Sequence, residues 1–258
     1  MISNQFYIQN GKIIQADDYV ADSDNPPAPA PNPNIIGGRL YKSVIINGQE
    51  WLAENLDFRW DGLGSDYSFE QSLENAVPSA VYFNRDEETY GINGKNYGLL
   101  YNFAAAKYLD DHRDTLIPGW RVPTSDDFTS LYNFLIEEMT KEDPHGQSAY
   151  YCGKELLSTS EWNYNYNTWT DTSTGKTYTN APTDTYGFNA VPSGISYGGN
   201  TSWEQLGTQC LFWIAEISTY RSNYGTNAII TAPGRFTAHT DRDSPIYTRM
   251  SIRLIRDK

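Results

Sequence analysis

The sequence has few of the residues on which enzyme chemistry usually depends. Its 258 residues include two cysteines, Cys152 and Cys210, and three histidines, His112, His145 and His239. No HExxH, phosphate-loop or CxxC pattern is present, so the common zinc-peptidase, nucleotide-binding and dithiol mechanisms lack their motifs. We therefore expect a protein that is not an enzyme and needs no cofactor. The cysteines are far apart, and we expect buried thiols rather than a disulfide.

Long apolar runs and an excess of basic residues are also missing. No apolar stretch approaches the roughly 20 residues that cross a bilayer, so we expect no membrane insertion. Residues 1–20 lack the basic start and apolar core of a signal peptide, and we expect the protein to stay in a cytoplasm or to be assembled into a particle there. The formal net charge of -13 argues against a nucleic-acid partner but leaves open a neutral ligand such as a sugar.

Tyrosine, tryptophan and glycine are abundant instead. The chain has 20 Tyr, 7 Trp and 20 Gly, a composition typical of short strands and turns. Two segments have apolar residues at helical spacing: Tyr97–Leu109, with an alanine block, and residues 124–139, with a cap at Thr124 or Ser125. Two helices among short antiparallel strands and long loops predict an α+β domain.

Strand signals lie on both sides of these helices. Asn47-Gly48 predicts a hairpin whose second strand carries Trp51. The alternation in MSIRLIRD, residues 250–257, predicts a last strand.

The beginning of the chain differs in composition from the rest. FYIQNGKIIQ predicts a β-hairpin around Asn10-Gly11, and such a hairpin is marginal alone. We interpret residues 1–24 as an anchor that pairs with the main domain, another copy or a larger assembly. The proline-rich stretch NPPAPAPNPN places a semi-rigid linker at residues 25–37, and residues 38–258 form the main domain.

The segment PGWRVPTSDDF, residues 118–128, combines a turn with a helix start. We expect Trp120, like Trp213, to be buried. An ion pair between Arg121 and Asp126 is predicted to tie the turn to the helix. This segment therefore has a structural role.

Seven segments, taken together and in order, carry a family resemblance. They are EWLAENL (50–56), YGLLYNFAAA (97–106), PGWRVPTSDDF (118–128), GKELLSTSEW (153–162), YGFNAVPSG (186–194), FWIAE with a following NA (212–216 and 227–228), and SIRLIRD (251–257). The chain from about Gly38 to Lys258 resembles the Fibrobacter succinogenes major paralogous domain family of Bacteroidetes-type bacteria and their phages. The resemblance implies a C-type lectin-like fold: two helices, a small antiparallel sheet and long loops that display a ligand surface. Formylglycine-generating enzymes and retroelement-diversified phage proteins share that fold.

Two positions depart from the family pattern. Family members often have cysteines where this chain has Leu116 and Leu254. If the two positions face each other, an apolar pair replaces a disulfide, which fits folding in a reducing compartment.

The candidate ligand surface lies in ISTYRSNYGTNA, residues 217–228. Tyrosine, serine, asparagine, glycine and arginine are typical of adaptable binding surfaces, and tyrosine stacks on the apolar faces of sugar rings. The predicted ligand-binding residues, from this segment and the next loop, are Tyr220, Arg221, Asn223, Tyr224, Asn227, Arg235, His239 and Asp241. Residues 162–180 form a second candidate surface of similar composition.

Metal-dependent sugar binding lacks its usual sequence signals. The EPN, QPD and WND tripeptides of calcium-dependent lectins are missing. Asp241 and Asp243 could share a cation, but a solvated loop is the favoured interpretation. We therefore predict no metal site.

Together these features predict a non-enzymatic recognition domain. The expected protein is a phage virion component, a fibre or capsid decoration, that binds a glycan or protein on the host surface. Residues 1–24 would contact other virion proteins, and analogy with phage heads of this kind suggests a homotrimer. The alternatives are a bacterial cell-surface adhesin of the same family and, with less support, a formylglycine-generating type of enzyme.

Overall fold

The structure, a computed structural model, describes residues 6–9, 12–15, 34–65, 76–142, 150–197, 202–237 and 243–257. The helices are α1 (Glu87–Tyr90), α2 (Phe103–Asp111), α3 (Arg113–Leu116) and α4 (Ser125–Glu142), and 3₁₀ turns cover Phe83–Arg85 and Cys152–Glu155. The strands of the first half are β1 (Phe6–Gln9), β2 (Lys12–Gln15), β3 (Ile35–Ile36), β4 (Arg39–Leu40), β5 (Ser43–Ile46), β6 (Gln49–Leu52), β7 (Ala80–Val81) and β8 (Leu100–Asn102). Those of the second half are β9 (Thr168–Thr170), β10 (Thr177–Thr179), β11 (Ile195–Tyr197), β12 (Ser202–Glu204), β13 (Gln209–Ile217), β14 (Tyr224–Thr231), β15 (Arg235–Thr237), β16 (Asp243–Pro245), β17 (Arg249–Met250) and β18 (Ile255–Asp257). Within the described ranges, no helix is long and apolar enough to cross a membrane.

The strands form several small antiparallel sheets. One sheet has the order β12-β11-β17-β8-β7, a second has the order β13-β14-β15 with β16 also paired to β14, and a third has the order β18-β6-β5. The pairs β1-β2, β3-β4 and β9-β10 are separate two-stranded hairpins. The predicted α+β class is confirmed, although several small sheets replace the single small sheet that we expected.

The β13–β14 pair lies between the two longest helices. Successive residues of a strand point to opposite faces of its sheet. Leu211 and Trp213 accordingly pack in one apolar cluster with α2, and Phe212 and Ile214 pack in a second cluster with α4. The core therefore has two halves with this sheet between them.

Asp127 fixes the start of α4. Its carboxylate accepts hydrogen bonds from the backbone N of Thr124 at 2.7 Å and from Thr124 Oγ1 at 2.8 Å. Thr124 Oγ1 accepts in turn from the backbone N of Asp127 at 3.3 Å, which completes a reciprocal cap. Arg121 donates to both carboxylate oxygens of Asp127, at 2.5 and 2.9 Å. The predicted ion pair of Arg121 with Asp126 is wrong by one residue. The partner is Asp127, the third residue of the helix, whose carboxylate lies over the preceding turn, whereas Asp126 is exposed.

Only the second part of the helix predicted for Tyr97–Leu109 is helical. In β8, Tyr101 pairs with Ala80 on one side and with Met250 on the other. The helix α2 begins after Asn102, whose side chain accepts a hydrogen bond from the backbone of the first turn at 3.0 Å. The strand partners are distant in sequence, so local spacing could not reveal the strand.

The C-terminal segment MSIRLIRD runs between the other layers instead of forming one strand. It contributes the end of β17 and all of β18, which belong to different sheets. Between them, Ser251 N donates to Leu211 O at 3.1 Å, and Leu254 O accepts from Leu52 N at 3.0 Å. The predicted alternation is nevertheless real, because Ile252 and Leu254 pack in the cluster of α2 while Arg253 contacts the rings of the other cluster.

Arg253 is fully buried and bonds to two distant parts of the chain, near Leu52 and near Phe188. Its guanidinium donates to Leu52 O at 3.0 Å, to Asn55 Oδ1 at 2.6 Å, to Asn189 O at 3.3 Å and to Phe188 O. The ring of Phe188 lies 4.4 Å from its central carbon. Burial lowers the pKa of Arg253 to about 10, so the group stays charged at neutral pH.

Both predicted Asn-Gly hairpins have paired strands. In β5–β6, Asn47 has φ 49° and Gly48 has φ 78°, the two positive values that a type I′ turn requires. In β1–β2, Gln9 pairs with Lys12, as a two-residue loop demands. The rest of residues 1–24 and the proline-rich stretch up to residue 33 lie outside the described residues, and the proposed domain bounds stay predictions.

The tryptophans and leucines singled out in the sequence lie in the core. Trp120 and Trp213 are buried as predicted, and Trp51 is buried as well. Leu116 and Leu254 both pack in the cluster of α2. Both positions, at which the family resemblance led us to expect cysteines, thus lie in an apolar environment.

Both cysteines are free and buried, as predicted. Burial raises the pKa of each thiol, Cys152 and Cys210, to about 12. Both therefore remain protonated near neutral pH and act as small apolar core residues.

The replacement Asp127→Asn should lower the free energy of unfolding at pH 7 by about 2 kcal/mol. Burial opposes ionisation of Asp127, but hydrogen bonds from Arg121 and Thr124 outweigh it and lower the pKa of this carboxyl below its ordinary value. A carboxyl with a lowered folded pKa stabilises the fold above its unfolded pKa, and this contribution disappears as the pH falls through the folded pKa. The deficit of the variant, measured by urea denaturation, should therefore shrink below about pH 4.

Asp126→Asn is the matched control, because Asp126 is in the same helical turn but exposed. It should change the free energy of unfolding by about 0.5 kcal/mol or less. Equal losses for the two variants at pH 7 would assign the effect to the helix dipole instead of the cap and ion pair.

Candidate ligand-binding cleft

The turn between β13 and β14 holds the first part of the predicted ligand surface. Tyr220 is 70% exposed, and the guanidinium of Arg221 lies 5.3 Å from the ring of Tyr224. Ser218 Oγ accepts from the backbone N atoms of Tyr220 and Arg221, at 3.1 and 3.2 Å, and donates to Asp243 Oδ2 at 2.7 Å. The Ser218 hydroxyl thus links this turn to Asp243 of the neighbouring strand β16.

The asparagines of the same segment differ in exposure. Asn223 is exposed in the left-handed region, with φ 61°, and its backbone O accepts from Ile246 N at 3.1 Å. Asn227 is 1% exposed, and its Nδ2 donates to Ser244 Oγ at 3.0 Å. Four consecutive residues, 225–228, are buried, so both faces of β14 are covered there and Asn227 lies in the core rather than on the predicted surface.

Arg235 lies at the opposite end of β14 from the Tyr220 turn. It pairs with Thr231, the last residue of β14, whereas the turn precedes Tyr224, the first residue. Seven steps along a strand span about 23 Å. The predicted residues therefore do not form one site. His239 and Asp241 lie outside the described residues.

An open cleft of about 700 Å³ surrounds the Arg235 end of β14. The guanidinium of Arg235 lies 5.0 Å from the ring centre of Tyr150. Tyr150 is 54% exposed and Tyr164 is 42% exposed. The lining residues are Tyr150, Tyr151, Tyr164, Gln205, Thr208, Gln209, Ile229, Thr231, Ala232, Pro233, Arg235 and Thr237. Aromatic rings, amides and hydroxyls thus face one concave surface.

Two glycines bring Tyr150 and Arg235 together across the sequence. A Cβ on Gly153 would lie 2.7 Å from the O of Gly234, and one on Gly234 would lie 2.5 Å from the N of Lys154. Gly234 also has φ 105°, a backbone angle that residues with a Cβ rarely adopt. This close contact of two backbones sets the 3₁₀ turn after Tyr151 against the turn that precedes Arg235.

A row of aromatic rings supports the tyrosines from behind. Tyr150 and Tyr151 have ring centres 4.9 Å apart, and Trp169 lies 5.9 Å from Tyr151. Trp169 stacks on Tyr178 across the β9–β10 hairpin, at 5.9 Å. Lys176 Nζ and Tyr178 Oη donate to the backbone O of Glu142, at 3.0 and 3.3 Å, which fastens this hairpin to the end of α4.

A second hollow of about 580 Å³ shares Tyr164 with the cleft. It is lined by Trp162, Asn163, Tyr164, Asn165 and Asn167, all within the second surface that the sequence suggested. The indole N of Trp162 donates to Ser158 Oγ at 3.1 Å, and the backbone N of Asn163 donates to Gly207 O at 2.6 Å. These bonds hold the segment at the edge of the cleft.

The cleft is suited to a ligand with hydroxyl groups and apolar faces. The exposed tyrosine rings offer stacking surfaces. The amides of Gln205 and Gln209 and the hydroxyls of the threonines donate and accept hydrogen bonds. Among the described residues, no group of three or more His, Cys, Asp or Glu side chains is placed to hold a metal ion.

Sequence reasoning missed most of this cleft. The adjacent tyrosines Tyr150 and Tyr151 were a visible signal, because two amphipathic aromatic residues in a polar stretch are typical of a binding surface. Nothing in the sequence indicated that Gln205 and Gln209 belong to a binding surface. They enter the lining only because the start of β13 and the residues before it fold beside the turn at Pro233.

The fold and the cleft define a class of protein: an α+β domain of small antiparallel sheets that displays an aromatic, polar cleft. The sequence profile of the Fibrobacter succinogenes major domain matches residues 44–256. The chain belongs to this family, which confirms the resemblance found in its motifs. No curated protein and no solved structure matches the chain significantly.

The replacement Gly234→Ala should lower the free energy of unfolding by about 3 kcal/mol. The added Cβ would meet the backbone of Lys154 at 2.5 Å, at a φ of 105°. Gly175→Ala is the control, since Gly175 has φ 71° and nothing within 4 Å of the added atom, and it should cost about 1 kcal/mol. Urea denaturation measures both, and equal losses would show that the backbone angle, and not the contact with Lys154, governs position 234.

Proposed function

We propose that this chain is a non-enzymatic recognition domain with a C-type lectin-like fold, and that it binds a surface glycan through the cleft around Tyr150, Tyr164 and Arg235. The single observation that carries the proposal is the lining of the cleft. Exposed tyrosine rings and side-chain amides share one concave surface, and this is the combination that binds sugar rings by stacking and by hydrogen bonds to hydroxyls.

The support of the cleft favours binding without large rearrangement. Its walls come from the ends of β13 and β14, from the glycine contact at Gly153 and Gly234, and from the hairpin fastened to α4. A site whose side chains are held in place loses less conformational entropy when a ligand binds.

We further propose that the domain is the head of a phage virion protein, a fibre or capsid decoration, that attaches to a host cell. The supporting features are the pairing of strands Phe6–Gln9 and Lys12–Gln15, the proline-rich stretch that follows them, and leucines at positions 116 and 254, where the family resemblance led us to expect cysteines. In this proposal the hairpin contacts other virion proteins, and the assembly is a homotrimer. A bacterial cell-surface adhesin of the same family is the alternative.

The double replacement of Tyr150→Ala with Tyr164→Ala should weaken glycan binding by about tenfold or more, because both stacking surfaces are lost. A glycan array probed with the full chain identifies the ligand, and titration of that glycan measures the loss. Addition of a chelator should leave the binding unchanged.

The control for this experiment alters the other predicted surface. The combined variant Tyr220→Ala, Arg221→Ala and Tyr224→Ala should keep binding within about twofold, since the turn lies about 23 Å from the cleft. If the turn variant loses binding and the cleft variant keeps it, the ligand site is the β13–β14 turn.

A genomic observation separates the two biological settings. Genes for capsid, portal or tail proteins next to this gene are expected for a virion protein. Neighbouring genes for export and surface attachment would instead identify a bacterial adhesin.

A further inference from the structure

We propose that the cleft selects an anionic glycan, one that bears a carboxylate or a sulfate, and that Arg235 binds this group. The inference rests on the proposed function, because it names the ligand class of the same cleft.

The lining of the cleft differs in charge from the rest of the protein. The chain has 32 acidic and 19 basic residues. Among the described residues that line the cleft and the adjoining hollow, however, Arg235 is the only charged side chain. A cation with no carboxylate among the described lining residues, on a protein of net negative charge, gives an anionic group a specific place to bind.

The Arg235 side chain contacts an aromatic ring and carries no ion pair within the described residues. It is exposed and contacts the ring of Tyr150 at 5.0 Å. Such a contact uses the face of the ring and satisfies none of the five N–H donors of the guanidinium. Arg235 forms no ion pair with any residue in the described ranges, whereas Arg121 and Arg256 pair with Asp127 and Glu50. Within the described part of the chain, its donors therefore have no carboxylate that competes with a ligand.

Arg235 is held at the wall of the cleft from two directions. The contact with Tyr150 holds the guanidinium at the wall of the cleft, and the pairing of Arg235 with Thr231 fixes its backbone. A planar guanidinium donates two parallel hydrogen bonds to a carboxylate or sulfate. A sugar ring could stack on Tyr164 in the same cleft, so the ring and its acidic group would be recognised together.

The test is a glycan array in which each acidic glycan is paired with its carboxyl-reduced or desulfated counterpart, followed by titration of the pairs that bind. At 0.15 M salt we expect the full chain to bind the acidic member about tenfold or more tightly. Arg235→Gln should remove this preference, so that the variant binds the two members of a pair with affinities within about threefold of each other. Arg235→Lys should restore part of the preference, since it keeps the charge but not the planar fork. Carboxylated and sulfated pairs distinguish the two sources of the anionic group.

Arg59→Gln is the matched control. Arg59 is also exposed and also lies over a tyrosine ring, 5.7 Å from the centre of Tyr82, but it does not line the cleft. This variant changes the net charge equally and should keep the preference. Equal affinity of wild-type protein for both members of every pair overturns the inference and leaves the proposed function standing. Failure to bind any glycan overturns both.

Discussion

The burial of one arginine constrains the arrangement of the whole domain. A guanidinium removed from water is costly unless its N–H groups meet acceptors, and Arg253 meets backbone and side-chain oxygens rather than a carboxylate. Those acceptors are Leu52 at the end of β6, Asn55 in the loop that follows β6, and the backbone of Phe188 and Asn189. The aromatic rings around its central carbon complete the site. Segments from three parts of the sequence must therefore be in place at the same time.

Arg253 lies in the segment of residues 250–257, so the fold depends on the placement of this segment. The same segment bonds to β13 through Ser251, to Leu52 of β6, and to the corner before α4 through Ile255 and Arg121. Its apolar residues enter both halves of the core. Because the segment connects the three larger sheets, none of these three has a complete set of neighbours without it. We expect the described domain to fold as one cooperative unit for this reason.

This arrangement explains why the two candidate binding surfaces lie at the ends of β14. The middle of the strand is covered on both faces, so it can present no side chain to a ligand. Its two ends emerge from the core, one at the turn with Tyr220 and the other at the cleft with Arg235. The cleft gains further walls from residues near Tyr150 and Tyr164, which the glycine contact and the hairpin on α4 hold in place. The packed sheets and helices hold the walls of the cleft in place, and the proposed recognition depends on the side chains that line it.

The sequence by itself determined the family, the α+β class, the two Asn-Gly hairpins, the start of α4 and the burial of Trp120 and Trp213. These features depend on local propensities, on turn chemistry and on ordered motifs, all of which act within a few residues. Only the tertiary structure decided that residues 100–102 form a strand, that Asp127 and not Asp126 holds Arg121, and that the predicted ligand residues divide between two ends of β14. It also brought Tyr150 to Arg235, across 85 positions of the sequence. Such contacts depend on backbone pairings and close approaches between distant segments, and local patterns in a single sequence carry no information about which distant segments meet.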